Sequence, residues 1–310
     1  MKNKNILVTG GLGFIGSHIV DELIDNNFVI IIDDNSTGKV ENLKNPNHPN
    51  LKIIEKDIND VDLEILLKDI DYVFHLAAVV SVPLSVDDPI KCNDVNINAT
   101  VKLLDSCRKN NVKKIIFSSS SAVYGDTNNI PIKETEPLLP KSPYAASKAG
   151  CEFYLKSFYE SYGLNYTILR YFNVFGPKQD KNSQYAAVIP NFISSLLEGE
   201  QPIIYGDGTQ TRDFIFVKDV VMANIMACES DYNGIVNVAS GRKLSINELY
   251  EIIVETMGAD VEVKYLPERK GDIKYSLADV SNLSKINCNF HLNNFNNQLK
   301  ETINWFKTQF

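Results

Sequence analysis

The chain has no long apolar run, no long run of one charge and few cysteines, and each shortage removes a class of protein. Its 310 residues carry five cysteines, Cys92, Cys107, Cys151, Cys228 and Cys288. They are odd in number, scattered and without metal-ligand spacing, so they read as reduced thiols and predict neither a disulfide framework nor a metal site. No apolar stretch reaches the roughly 18 residues of a membrane span. The N-terminus runs directly into a strand pattern, with no secretory h-region or cleavage site, and a cytoplasmic protein is expected. Basic residues cluster only as pairs such as Lys113-Lys114 and Arg269-Lys270, and the formal net charge is -8. That balance argues against nucleic acid as a partner. It does not exclude a phosphorylated small molecule, which local arginines and helix N-termini can bind.

What is present is an ordinary globular composition, 44% hydrophobic and 23% charged, which supports a well-buried core. Short apolar runs at Ile6-Val8, Val29-Ile32, Ile53-Ile54, Tyr72-Phe74 and Ile115-Phe117 alternate with helical or loop segments. A further strand is read at Tyr166-Leu169, after a helix from about Pro143 to Tyr162. Continuous apolar strands suit a parallel sheet covered on both faces, so the reading is an α/β, Rossmann-type doubly wound sheet. Residues 1–175 are expected to form a dinucleotide-binding domain whose core also receives later segments. Residues 176–310 are expected to form a smaller α/β substrate-binding region, with a helix from about Ala187 to Gly199 and strands near Ile203 and Phe214-Phe216. Two helices are expected after it, one following Val217 and one opening at Ser245. The Asn-rich stretch from Asn287 to Asn297 reads as a loop before the C-terminal helix, and no internal repeat is visible.

Directly after the first strand stands Thr9-Gly10-Gly11-Leu12-Gly13-Phe14-Ile15-Gly16, which opens a helix. Glycines at 10, 13 and 16 permit a tight turn, the approach of backbone to a pyrophosphate and close packing of helix on strand, while the helix N-terminus stabilises the negative charge. Asp33, at the end of the second strand, can accept both ribose hydroxyls and would repel a 2'-phosphate, which favours NAD over NADP. Asp57, with the backbone of Ile58, is a plausible contact for the adenine edge, though a solvated strand-end aspartate fits Asp57 equally well.

Tyr144-Ala145-Ala146-Ser147-Lys148 sets a phenol and an ammonium at i and i+4, on one helix face. A tyrosine is a poor base at its ordinary pKa of about 10. A neighbouring lysine and a positive nicotinamide ring bring phenolate toward working pH. The run Ser118-Ser119-Ser120-Ser121-Ala122-Val123-Tyr124-Gly125 follows the strand Ile115-Phe117 and places hydroxyls where a parallel sheet binds its ligands. Ser118 and Ser119 suit a plain turn, whereas Ser120 and Ser121 are the candidates for bonding a substrate hydroxyl.

The glycine loop, the serine run ending in Val-Tyr-Gly and the Tyr-x-x-x-Lys pair resemble the extended short-chain dehydrogenase/reductase family of NAD-dependent sugar epimerases and dehydratases. Further stretches fit the same pattern: Arg170-Tyr171-Phe172-Asn173-Val174-Phe175-Gly176-Pro177, Tyr185 to Pro190, Gly206-Asp207-Gly208 and Arg212-Asp213. The resemblance covers nearly the whole chain and is strongest to UDP-sugar 4-epimerases. It implies catalysis by Ser120, Tyr144 and Lys148. It implies a cofactor surface of Gly10, Gly13, Phe14, Ile15, Gly16, Asp33, Asp34, Ser36, Thr37, Gly38, Asp57 and Ile58. To these it adds Leu76, Ala77, Ala78, Asn96, Ser118, Tyr144, Lys148 and Phe172. For the nucleotide-sugar it implies Ser81, Ser120, Ser121, Tyr144, Asn173, Ala187, Val188, Arg212, Arg269, Asp272 and Ser276, the two arginines clamping phosphates. The helices Thr100–Lys109 and Tyr144–Tyr162 resemble those that build a homodimer's four-helix bundle.

Within the family, dehydratases carry an Asp-Glu pair after the serine or threonine, and decarboxylases resemble this with a glutamate. Here those positions are Ser121 and Ala122, which leaves elimination without its acid and base and points to 4-epimerisation. Ser276 stands where epimerases restricted to plain hexoses resemble one another in a bulky tyrosine. A small residue there leaves room for an N-acetyl group at C2, so UDP-GlcNAc/UDP-GalNAc is expected alongside UDP-glucose/UDP-galactose. Val79-Val80 makes the sugar side more apolar than in many relatives. Two alternatives stay open at this level: a UDP-glucuronate 4-epimerase or decarboxylase, and an NAD-binding regulator without catalysis.

Overall fold

A computed structural model describes residues 1–180, 188–268, 273–289 and 294–310. The first half runs β1 (Asn5–Thr9), α1 (Phe14–Leu23), β2 (Phe28–Asp33), β3 (Leu51–Glu55), α2 (Leu63–Leu66), β4 (Tyr72–His75), α3 (Val82–Asp87), α4 (Pro89–Asn93), α5 (Ala99–Lys109), β5 (Lys114–Ser120), α6 (Pro143–Tyr162) and β6 (Tyr166–Tyr171). The second half adds β7 (Asn173–Phe175), α7 (Val188–Glu198), β8 (Ile203–Tyr205), β9 (Thr211–Phe216), α8 (Val217–Glu229), β10 (Gly234–Val238), β11 (Lys243–Ser245), α9 (Ile246–Met257), β12 (Lys264–Leu266) and α10 (Phe295–Lys307).

Seven strands form one parallel sheet in the order β10-β6-β5-β4-β1-β2-β3. Successive side chains of a strand point to opposite faces. Ile6 and Val8 therefore join the core under α1 and α8, while Leu7 between them joins the core under α5 and α6. This two-sided burial is why the strands read as unbroken apolar runs. The strand order reverses at β1, which pairs with β2 on one side and β4 on the other, and the crevice of such sheets opens at that point.

The second half does not separate cleanly from the first. Strand β10 pairs with β6 as the edge of the main sheet, and α8 packs in the same core as α1. The rest gathers around its own core of Phe175, Phe192, Phe214, Phe216, Leu249 and Phe306. A three-stranded sheet β11-β9-β7 and the pair β12-β8 complete it.

Besides the unpredicted strands β10, β11 and β12, the structure departs from the sequence reading as follows. Strand β5 continues through Ser120, so Ser118, Ser119 and Ser120 are strand residues paired with Leu169, Arg170 and Tyr171. Helix α10 starts at Phe295, which makes the end of the Asn-rich stretch helical. Residues 82–98, for which the sequence predicted no element, form α3, α4 and a turn of π geometry at Asp94–Asn98 that leads into α5.

Candidate active site

A cleft of about 1270 Å³ opens at the strand-order reversal. One end is the glycine loop. Gly10 has φ +69°, and a Cβ there would stand 2.8 Å from the Ala77 nitrogen. At Gly16 an added methyl group would collide with the Gly10 carbonyl, so helix and strand meet only without a side chain. Gly13 is the N-cap of α1, in extended backbone, and Gly10, Gly13, Phe14, Ile15 and Gly16 all line the cleft. Asp33 sits beside them, accepting Leu12 N at 2.9 Å on Oδ2 and Asn35 N at 3.0 Å on Oδ1. Burial pushes its carboxyl above the usual range, opposed by those two amides. Each oxygen keeps lone-pair capacity for a ribose hydroxyl. Asp34, Ser36, Thr37, Asp57, Ile58, Leu76, Ala77, Ala78 and Phe172 share the lining. A glycine cradle at a helix N-terminus with a strand-end carboxylate beside it fits a dinucleotide.

At the other end, β5 faces α6. Helix α6 starts cleanly: Ser142 caps it by accepting Ala145 N, and Pro143 occupies its first position. Gly163, at φ 73°, ends it. Tyr144 lies in the first turn, and its backbone N–H donates to Ser85 Oγ of α3 at 3.1 Å. Lys148, one turn on, is buried, donates Nζ to the Ser118 carbonyl at 2.8 Å and lies 4.9 Å from the Phe117 ring centroid. Burial pulls its ammonium down to about 8, with Cys151, Cys92 and Glu152 opposing the fall. Burial raises the Tyr144 phenol, and its hydrogen bond with Ser120 draws it back. Ser118, Ser120, Tyr144 and Lys148 all line the cleft. The three groups expected to carry the chemistry are thus gathered at one end of the dinucleotide crevice.

Several expected residues stand elsewhere. Asn96 is buried behind the wall, with Oδ1 accepting Val79 N at 2.7 Å and Nδ2 donating to Ser147 Oγ at 2.8 Å. It shapes the Val79 segment and does not line the cleft. Gly38 is buried beside the lining residue Asp33, where a Cβ would stand 2.9 Å from Asp33 Oδ1. Ser121 opens a tight 3-10 turn, Ser121–Tyr124, directly after β5 and is not among the lining residues; Ser119 lines the cleft with its Oγ committed to Glu152. Ser81 does line it, but its Oγ also caps α3 by accepting Leu84 N at 3.3 Å.

Asn173, Val188, Arg212 and Ser276 are not among the residues that line this cleft. Asn173 donates to the Asp213 carbonyl at 3.1 Å, and Arg212 Nη1 to the Ile273 carbonyl at 2.5 Å. Ser276 is buried and donates its N–H to the Thr211 carbonyl at 3.2 Å. Ala187, Arg269 and Asp272 lie outside the described residues.

Sequence reasoning missed two groups of residues. Lys178, Gln179 and Trp305 line the glycine-loop end, and Lys178 is held there by an ion pair with Asp21 at 2.6 Å. Nothing local in the sequence marks a C-terminal-helix tryptophan as a cleft residue. Asp213 is a buried hub, its carboxylate accepting Ser240 N, Ser240 Oγ, Gly241 N and Ala278 N at 2.7 to 3.1 Å. Burial pushes it up to about 6. It ties β9 to the segment that carries Ser276.

Comparison with known proteins agrees with this geometry. Residues 6–239 match the NAD dependent epimerase/dehydratase family. A UDP-N-acetylglucosamine 4-epimerase from Methanobrevibacter ruminantium, solved in complex with UDP-N-acetylmuramic acid, is 63% identical with TM-score 0.99, covering 100% of both chains. The UDP-glucose 4-epimerase of Thermotoga maritima, solved with UDP-glucose, is 41% identical with TM-score 0.92, covering 98% of this chain and 99% of its own. The UDP-glucose 4-epimerase of Mycolicibacterium smegmatis is 40% identical over 279 residues, 88% of this chain and 89% of its own.

Proposed function

Since the chain belongs to the NAD dependent epimerase/dehydratase family, we propose that it is a UDP-hexose 4-epimerase with tightly held NAD, interconverting UDP-GlcNAc/UDP-GalNAc and UDP-glucose/UDP-galactose. One observation carries the reading. Ser120, Tyr144 and Lys148 meet at the cleft, and the positions that follow the strand, Ser121 and Ala122, bring no carboxylate. Oxidation at C4 needs a base and a hydride acceptor, whereas elimination needs a further acid and base. Bound NAD supplies a hydride acceptor and donor at the sugar's C4, so it is regenerated in every turnover.

The protein's own groups move the proton. Tyr144, as phenolate, takes the 4'-hydroxyl proton and later returns it, so no net proton is lost. Ser120 bonds the same hydroxyl and holds it against the phenol. The Lys148 ammonium, fixed by the Ser118 carbonyl, stabilises phenolate by its charge. Gly10 to Gly16, Asp33 and the strand-end residues Leu76 to Ala78 hold the cofactor. Arg212 and Arg269 clamp the diphosphate, Asn173, Ala187 and Val188 hold the diphosphate and uridine side, and Asp272 reaches the ribose or uridine, so that the sugar can turn while anchored. Acceptance of an N-acetyl group is supported by the small side chain at Ser276 and by the 63% identity to a UDP-N-acetylglucosamine epimerase.

A homodimer through α5 and α6 belongs to the same reading. It is supported by the aromatic face that α6 leaves open, with Phe153 65% exposed. No helix among the described residues is long and apolar enough to cross a membrane.

The test is direct. Purified protein and UDP-GlcNAc, without added reductant, yield the galacto epimer by NMR at unchanged mass. Loss of carbon dioxide from UDP-glucuronate would instead establish a decarboxylase. No interconversion of any UDP-hexose by folded, NAD-loaded protein overturns the assignment.

A further inference from the structure

Glu152 is a buried acid for which proton transfer at C4 has no use, yet it stands in line with the groups that perform it. Tyr144, Lys148 and Glu152 recur at every fourth residue of α6 and share one face. The end of β5 meets that face rung for rung. Ser120 bonds the Tyr144 phenol, the Ser118 carbonyl accepts from Lys148 at 2.8 Å, and Ser119 Oγ donates to Glu152 Oε1 at 2.5 Å. On the far side, Arg170 of β6 grips both carboxylate oxygens, Nε to Oε1 at 2.9 Å and Nη2 to Oε2 at 2.5 Å. The guanidinium also donates to the Glu134 carbonyl at 3.1 Å and lies 4.7 Å from the Tyr124 ring centroid. The two side chains are only 3% and 2% exposed.

Stability alone does not account for such a pair. Two desolvated charges are often replaced by well-packed apolar side chains at no cost. The position of the carboxylate, one helical turn beyond the ammonium, suggests another use. Resting on the epimerase reading above, we infer that the Glu152–Arg170 pair positions Lys148 and keeps it charged, by locking the serine strand to α6 and placing a carboxylate beside the ammonium.

Of the other groups that face Lys148, Cys151 and Cys92 also oppose the fall, but only as thiolates. His75 of β4 is held neutral by burial, down to about 3. Burial raises the thiols of Cys92 on α4 and Cys151 on α6, and the phenol of Tyr144, so each favours its uncharged form. The ring of Phe117 and the Ser118 carbonyl offer only partial charge. Glu152 touches neither sugar nor cofactor surface among the described lining residues, so it is a positioning residue.

The experiment compares Glu152→Gln and Arg170→Gln holoenzymes in kcat/KM against pH, with KM and NAD content measured alongside. Glu152→Gln moves the alkaline limb to lower pH by roughly one unit, with KM held within about twofold. Arg170→Gln, which leaves the carboxylate in place, does not share that movement. Acetylation of Lys148, read by mass spectrometry against pH, shifts with the limb and needs no turnover. If Glu152→Gln is too unstable to assay, the Glu152→Gln/Arg170→Gln double variant leaves no unpaired charge and still moves the limb downward by a smaller step. An unmoved limb and unmoved acetylation profile, or equal movement in both single variants, make the pair a plain structural pin and overturn the inference. A wild-type protein without epimerase activity defeats the underlying reading instead, and the acetylation profile still decides the role of Glu152.

Discussion

The imidazole of His75 bridges two threonines, with Nδ1 2.7 Å from Thr9 Oγ1 and Nε2 2.8 Å from Thr100 Oγ1. The neighbours fix its tautomer. Thr9 Oγ1 already accepts Leu76 N and Ala77 N at 3.2 Å each, so its single proton goes to Nδ1. Nε2 then carries the hydrogen and donates to Thr100, whose own proton goes to the Asn96 carbonyl at 2.5 Å. The relay joins the ends of β1 and β4 to the first turn of α5. These segments bound the crevice, and every buried polar group along the relay is satisfied.

That arrangement predicts a specific acid response. Burial first, and the Lys148 charge second, lower the His75 pKa to about 3, against 6.5 for the free side chain. Between those values the unfolded chain binds a proton that the folded one refuses, so stability falls as pH drops below about 6.5. His18, lowered to about 4 by burial, acts in the same direction. Asp213, raised to about 6, acts oppositely between about 4 and 6. The His75→Gln variant removes one of these titrations. It is less stable than wild type at pH 7, and the gap narrows by about 2 kcal/mol at pH 5. Urea midpoints at the two pH values measure it; a constant gap means that His75 titrates alike in the folded and unfolded protein.

Lys114 makes a second stability prediction. Its buried ammonium donates to the carbonyls of Ala227, Ser230 and Tyr232 at 2.8, 2.7 and 2.9 Å, closing the C-terminus of α8. A cation belongs there, because the last carbonyls of a helix have no partner in the helix and carry partial negative charge. Lys114→Met leaves them unsatisfied and costs about 2–4 kcal/mol in urea unfolding, with NAD content of the folded protein unchanged. A loss under about 0.5 kcal/mol would show that water replaces the ammonium.

The sequence marked Lys113-Lys114 only as a basic pair; in the fold Lys113 is exposed, while Lys114, the first residue of β5, is buried. The same limit explains the rest of what the sequence did and did not disclose. Glycine loop, Asp33 and the Tyr144–Lys148 pair were legible because each is a local pattern whose spacing already states its geometry. The extension of β5 through Ser120 was not, since serine has little preference for strand, and the pairing with β6 decides it. For the same reason the sequence did not show that Ser119 Oγ is taken up by Glu152. Arg170 lay inside a recognised motif, but its partner Glu152 is a contact between helix and strand that no spacing in the sequence shows. Trp305 reaches the cleft because α10 packs on α7 and α9, around the core that Phe14 and Ile15 of α1 also join.

Asp33 is the residue proposed to set the cofactor preference. Its two oxygens are oriented by Leu12 N and Asn35 N, so the side chain is pre-set to accept ribose hydroxyls and to repel a 2'-phosphate. Asp33→Asn keeps the shape, turns one acceptor into a donor and removes the charge. The variant is expected to lose roughly tenfold or more in NAD affinity and to narrow the preference over NADP by a similar factor. Calorimetric titration of protein stripped of cofactor measures both. An unchanged NAD/NADP ratio would place the ribose elsewhere.

Sugar choice is the sharpest remaining question, and Ser276 offers the lever. The residue is 8% exposed, its N–H is tied to the Thr211 carbonyl, and its neighbour Tyr275 forms an isolated bridge with Thr211. It is therefore fixed next to Arg212, on the strand proposed to hold the diphosphate. On the proposed reading, a large ring at that point would take the space that a C2 acetamido group requires and leave a plain hydroxyl undisturbed. Ser276→Tyr is expected to lower kcat/KM for UDP-GlcNAc by roughly 10–100-fold while UDP-glucose stays within about threefold, the size of effect that a steric pocket supports. The melting temperature separates selectivity from damage, because a phenol forced into a buried serine site also threatens the Thr211 bridge. Equal loss on both sugars with a lowered melting temperature means that the ring has displaced the bridge. Equal retention on both with an unchanged melting temperature puts the acetamido pocket at other residues, with the apolar Val79-Val80 wall the next place to look.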